Sequence, residues 1–150
     1  RVWAYLWALE QKLTELLGPA HVAPADFERA APAILRLQRG ALLPGEPEAA
    51  WLLPARNRLA GRWQRFVVRL GEQREADRRW ADAGALYERA IEVEPLAEAF
   101  HARLMVCLRE QGRVPEAIEV YRRCRQLLSV TLGVQPAEHT QAIYRGLIQS

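Results

Sequence analysis

Leu6, Leu9, Leu13 and Leu16 recur at spacings of three and four residues, the period that gathers side chains on one face of an α-helix. The segment VWAYLWALEQKLTELLGP therefore reads as a helix, with Trp3 and Trp7 on the same side or just beside it as core residues and Gly18-Pro19 as its stop. Residues 20–24 form a connector, after which Asp26 can cap a short helix. Pro32 suits the first turn of a further helical piece, AILRLQRG, closed by Gly40. ALLPGEP carries the breakers of a loop. A long helix is expected from Pro47 to about Glu75, with a kink or break near Pro54. Trp51, Leu59, Trp63, Phe66, Val67 and Leu70 give it an apolar side.

Beyond that helix the pattern repeats. Ala83 lies on Ala117, Tyr87 on Tyr121 and Ala90 on Cys124, each pair separated by 34 residues, the period of a tetratricopeptide repeat. At i, i+4 and i+7 these residues share one helical face. The small side chains admit a neighbouring helix closely, and the tyrosine ring fills the gap between them. Leu70-Gly71 and Leu104-Met105 mark the first helices of the two pairs, Gly112 the turn within one, and Pro95 the end of the other. Helices are thus predicted near 79–93, 96–111 and 115–129, with Glu119 and Arg123 as an i,i+4 ion pair in the last. Leu132-Gly133-Val134-Gln135-Pro136 breaks the chain, and 137–148 forms a closing amphipathic helix whose Ile143, Leu147 and Ile148 can cover the open end. The expected fold is all-α: tetratricopeptide-like antiparallel hairpins stacked as a short right-handed superhelix with a C-terminal capping helix. Residues 1–150 make one domain, with repeat units at about 64–97 and 98–131.

A chain of 150 residues that is half hydrophobic can bury a core and has no disordered composition. Net charge is +3, and the small basic excess lies in residues 1–75, with eleven Lys and Arg against eight acids; residues 76–150 balance ten Arg with ten acids. Arg58, Arg62, Arg65 and Arg69 fall at i, i+4, i+7 and i+11, a stripe that either tracks phosphates or an acidic partner, or is a solvated face pairing with glutamates elsewhere in the fold. No helix-turn-helix accompanies it, so sequence-specific DNA binding by this chain alone is not expected. No apolar run reaches the length of a membrane span. Cys107 and Cys124 read as buried reduced thiols of a cytoplasmic protein. The chain begins at Arg1 rather than Met and is expected to be a piece of a longer one.

No catalytic constellation is found. His21, His101 and His139 are scattered, Ser129 and Ser150 sit in no nucleophile elbow, and no phosphate-cradling glycine loop occurs. No enzyme activity, metal or cofactor is expected. Tetratricopeptide clamps that grip a partner's terminal carboxylate use Lys and Asn on their first helices. Here those positions hold Val68 and Glu72 in one copy and Ala102 and Val106 in the other. The clamp is absent, and any groove is expected to be largely apolar, with Arg109 as the nearest cation.

The order of motifs is similar to a known family. A Trp-containing first helix is followed by Gly40-Ala41-Leu42-Leu43-Pro44-Gly45, by Trp51 with Arg56, Arg58 and Leu59, and by Pro95-Leu96-Ala97-Glu98 with Leu104-Met105. Gly112-Arg113 with Glu116-Ala117-Ile118 and Tyr121, and then Leu132-Gly133-Val134-Gln135-Pro136, complete the series. Together they resemble the bacterial transcriptional activator domain, the tetratricopeptide-like module of antibiotic-regulatory-protein-type activators, over nearly the whole chain. One departure is that Trp3 is followed by Ala4 and Tyr5, where relatives carry Val-Asp. The resemblance implies an effector and assembly domain of a cytoplasmic transcription regulator whose DNA-reading winged helix precedes Arg1. Such a domain acts by self-association as a homo-oligomer, or by contact with RNA polymerase or a neighbouring regulatory domain. A free-standing tetratricopeptide adaptor or chaperone cofactor is the alternative.

Overall fold

The computed structural model describes residues 2–18, 22–41 and 53–149. Expectations for His21, for the loop beyond Ala41, for Trp51 and for a helix start at Pro47 lie outside the described residues, as do the side chains of Trp3 and Arg56. Among the described residues there are seven α-helices and no strand: α1 (Val2–Leu17), α2 (Pro24–Ala41), α3 (Leu53–Ala76), α4 (Trp80–Val93), α5 (Glu98–Glu110), α6 (Val114–Leu132) and α7 (Glu138–Gln149). The all-α class expected from the sequence is what they show. The chain divides into two compact units, Arg1–Leu70 and Gly71–Ser150, and the boundary falls inside α3.

In the first unit α1 packs on α2. Leu6, Leu9, Leu13 and Leu16 are all buried, as their period requires, but Trp7 is 55% exposed. One helical residue is a 100° step, so Trp7 falls away from the leucine stripe rather than beside it. α2 is a single helix in which Pro32 lies in the interior and Gly40 is still helical, in contrast to the two pieces expected. Phe27, Ala31 and Ile34 explain the continuity. At i, i+4 and i+7 they are completely or almost completely buried, and a continuous apolar face outweighs one missing N–H. Asp26 is not the N-cap expected but lies inside the first turn of α2, from where its carboxylate accepts from the Ala23 N–H at 3.1 Å. Pro54, where a kink or break was expected, is the second residue of α3, inside a first turn whose N–H groups have no helical acceptor. From α3, Leu59, Trp63, Phe66, Val67 and Leu70 are buried. Phe66 stacks on Phe27 at 6.3 Å between centroids and lies 6.0 Å from Trp63.

The second unit opens with the last residues of α3. α4 packs on α5, α5 on α6, and α7 against both α5 and α6. Ala83, Tyr87 and Ala90 of α4, and Ala117, Tyr121 and Cys124 of α6, are buried. The 34-residue offset extends into the turns, where the sequence pattern alone did not show it. Arg78 N–H bonds to Glu75 C=O and Arg79 N–H to Arg74 C=O, at 2.9 and 2.8 Å; Gly112 to Arg109 and Arg113 to Leu108 repeat the two bonds at the same lengths. Arg78 at φ 58° and Gly112 at φ 75° are the left-handed residues of the two turns, one strained and one not. The ion pair Arg79–Asp82 at the start of α4 recurs as Arg113–Glu116 at the start of α6. Gly133, at φ 67°, ends α6 and lets Val134 N–H return to Leu128 C=O at 3.3 Å.

Gly71 sits where no side chain fits. A Cβ there would lie 2.1 Å from the Tyr87 hydroxyl oxygen, whereas a Cβ on Gly61, also in α3, would meet nothing within 4 Å. The same substitution therefore has opposite signs at the two positions. In urea melts Gly71→Ala should lower stability by about 1–3 kcal/mol through overpacking. Gly61→Ala should raise it by about 1 kcal/mol through helix propensity. Equal shifts for the two variants would contradict the packing described.

Candidate functional site

The arginine stripe does not form one free surface. Arg62 Nη1 donates to Glu10 at 2.9 Å and to Thr14 Oγ1 at 3.3 Å, and Arg58 lies 3.9 Å from the same carboxylate. Arg69 stands 4.5 Å over the Phe27 ring, a cation–π contact. Arg65 is exposed beside a shallow cavity of about 450 Å³ lined by Leu17, Gly61, Gln64, Val68 and Arg69. Of the two readings of the stripe, the structure gives pairing with a glutamate for Arg58 and Arg62. Among the described residues, Arg109 forms an exposed pair with Glu110 at 3.3 Å.

The sequence pattern missed the polar cluster around Tyr87. Its hydroxyl donates to Glu75 Oε2 at 2.5 Å and accepts from Arg103 Nη1 at 3.1 Å. The same Arg103 nitrogen reaches Glu75 at 2.9 Å, and Arg103 Nη2 reaches Glu72 at 3.0 Å. Glu72 thus pairs with Arg103 while remaining exposed. Burial, then the Glu75 carboxylate, push the Tyr87 phenol well above its ordinary range. The neutral phenol is the form that folding favours, so its contribution is intact below pH about 10 and is lost as pH rises beyond the value of an unfolded tyrosine. A buried tyrosine requires a partner for its hydroxyl, and that requirement was the available signal.

Cys107 and Cys124 are free and buried. Burial first, and Glu75 next, push the Cys107 thiol up to about 12; burial, with Glu98, pushes Cys124 to about 11. Both stay protonated at neutral pH and are poor nucleophiles. Among the described residues no three His, Cys, Asp or Glu side chains gather as a metal site. His101 is buried with Nε2 2.8 Å from the Pro95 carbonyl, so it fixes the α4–α5 turn. No helix of the described residues is long and apolar enough to cross a membrane.

What the second unit offers is a groove of about 470 Å³ over α5, between α4 and α6. Its apolar lining is Ile91 from α4, Leu104 and Leu108 from α5 and Val120 from α6, with His101 beside them. Its polar lining is Glu88, Glu92, Glu116, Glu119 and Arg123. Arg123, not Arg109, is its arginine, held 3.4 Å from Glu119. Arg113 bonds to both oxygens of Glu116 and holds that carboxyl below the usual range. Such an arrangement has the chemistry of a contact surface rather than of a reaction centre.

The helix under the groove, α5, is tied to α7 by the Glu98 of the Pro-Leu-Ala-Glu motif. Glu98 Oε2 accepts from the Ala137 N–H at 2.8 Å and from the Thr140 hydroxyl at 2.5 Å, acting as a cap supplied from another helix. Leu147 is buried as expected, but Ile148 is 55% exposed. The ring of Tyr144 instead stacks on Tyr121 at 4.0 Å and 8°. Glu98→Ala should cost about 1–2 kcal/mol and should accelerate amide hydrogen exchange in α7 ahead of α4 and α5. Unchanged exchange in α7 would show that Glu98 does not hold it.

Neither the curated proteins nor the solved structures give a significant match. The family model of the bacterial transcriptional activator domain matches residues 11–148, a span that runs from α1 to the last turn of α7. The family is one of transcription activators and not a catalytic one. With helices alone among the described residues and a match over nearly its whole length, the chain belongs to the bacterial transcriptional activator domain family.

Proposed function

We propose that the chain is the protein-interaction and assembly domain of a bacterial transcription regulator. It acts in the cytoplasm, by self-association or by contact with RNA polymerase or a neighbouring regulatory domain, and it catalyses no reaction. The observation that carries this reading is the family match over 11–148. The balanced groove of aliphatic and charged side chains on α4, α5 and α6 supports it, since contact surfaces combine apolar area with a polar rim. The sequence reading of one helical domain with repeat units at about 64–97 and 98–131 belongs to the same proposal, supported by turn hydrogen bonds that recur at the repeat offset.

The test is to fuse residues 1–150 to a heterologous DNA-binding domain in a bacterial reporter strain. A several-fold rise in transcription over the DNA-binding domain alone, or a defined oligomer in sedimentation, is the expected result. A monomer that leaves the reporter unchanged would contradict it. The isolated chain should not distinguish a promoter duplex from a scrambled one at about 150 mM salt. With Arg58 and Arg62 engaged by Glu10, two stripe arginines remain, and two phosphate contacts give a salt slope of only about −1.8. A reproducible preference for the promoter would place DNA reading in this domain.

A further inference from the structure

We infer that the groove over α5 is a docking site for an amphipathic helix of a partner protein, one that presents aliphatic anchors flanked by Arg or Lys. This deepens the interaction-domain reading and rests on it.

The groove is built at one-turn intervals. Glu88 and Glu92 stand four residues apart on α4, Leu104 and Leu108 four apart on α5, and Glu116 and Val120 four apart on α6. Residues at that spacing lie above one another on a helix face, so α4 repeats a carboxylate and α5 a leucine with the step of a helical turn, while α6 sets Glu116 and Val120 one turn apart. An occupant with the same step, a helix carrying anchors at i and i+4, meets all three sides in register, which is the helix-in-groove mode of recognition. A volume of about 470 Å³ accommodates a few aliphatic side chains and not a whole helix. The occupant therefore lies along the rim with its anchors turned in.

Charge decides the rest. Glu116 and Glu119 have arginine partners, Arg113 and Arg123. Glu88 and Glu92 are exposed and form no ion pair among the described residues. Two like charges at i and i+4 on one helix weaken it slightly. Glu88 feels the charge of Arg113, but that arginine is bonded to Glu116, and the four carboxylates of the lining outnumber Arg113 and Arg123, so the groove keeps a negative excess. A basic flank on the occupant offsets that excess. An acidic helix or a nucleic acid would add to the repulsion. Exposed pairs contribute little individually, so the carboxylates select the partner by sign while the apolar lining supplies most of the affinity.

The experiment uses a fluorescein-labelled 18-residue synthetic helix with Leu at i, i+4 and i+7 flanked by Arg, and a charge-reversed twin with Glu for every Arg, in fluorescence anisotropy against the full chain. Saturable binding of the basic helix, weakened by added salt and absent for the twin, is expected. Glu88→Gln with Glu92→Gln should weaken it about five-fold, the effect of losing two exposed ion pairs. Val120→Arg should abolish it while the circular-dichroism melt stays cooperative. Equal binding of both helices, no binding of the basic one, or unchanged affinity in the double glutamine variant would overturn the inference. So would a homo-oligomer that dissociates in that variant, because a second copy would then be the occupant. The reporter fusion responds independently: activation without binding of the basic helix removes the groove inference and leaves the interaction-domain reading in place.

Discussion

The second unit depends on where it puts one hydroxyl group. The Tyr87 ring is completely buried between the end of α3 and the helices that follow, and a buried phenol without a partner would cost about 1–3 kcal/mol. Glu75 accepts its proton at 2.5 Å, and Arg103 bridges Tyr87, Glu75 and Glu72. The arginine keeps the half-buried carboxylate from standing alone in a medium where an unpaired charge is expensive. Two constraints on the sequence follow. Gly71 must lack a side chain for the hydroxyl to reach Glu75, and Ala83 and Ala90 must be small for the ring to sit between them.

The second copy of the motif solves the same packing problem with different chemistry. Tyr121 stacks on Tyr144 of α7, and Glu98 is used up in holding the start of that helix. The α3–α4 and α5–α6 turns and the small-residue registers of α4 and α6 therefore recur, but their polar partners do not. α5 is held on one side through Arg103 and on the other through Glu98. That bracing presents Leu104 and Leu108 as the floor of the groove while α4 and α6 supply its walls.

The helices of this unit were legible because their apolar period is strict and because the Ala-Tyr-small register occurs twice. The polar contacts were not legible, since Glu75, Tyr87 and Arg103 are far apart in sequence and only the fold brings them together. Part of the repeat was present in the letters and unread: Arg79 with Asp82, and Arg113 with Glu116, keep the same offset, but the first turn has Arg78 where Gly112 marked the second. Elsewhere single residues misled. Pro32 suggested a helix start, yet the buried face of Phe27, Ala31 and Ile34 carries α2 through it. Trp7 and Ile148 suggested core by their size and are exposed. For Arg58 and Arg62 the sequence left a phosphate track and a glutamate-paired face both open, and they lie beside Glu10. The sign of the groove's charge could be read only after α4 and α6 were placed side by side over α5.

The central claim is that Tyr87 and Glu75 form one polar unit inside this packing, and a double-mutant cycle measures it directly. Tyr87→Phe and Glu75→Gln, singly and together, should show a coupling of about 1–3 kcal/mol in urea unfolding, the range of contacting residues in one hydrogen-bond network. Effects that add within about 0.5 kcal/mol would mean that the hydroxyl and the carboxylate act independently, and the account of how the second unit is held together would be wrong.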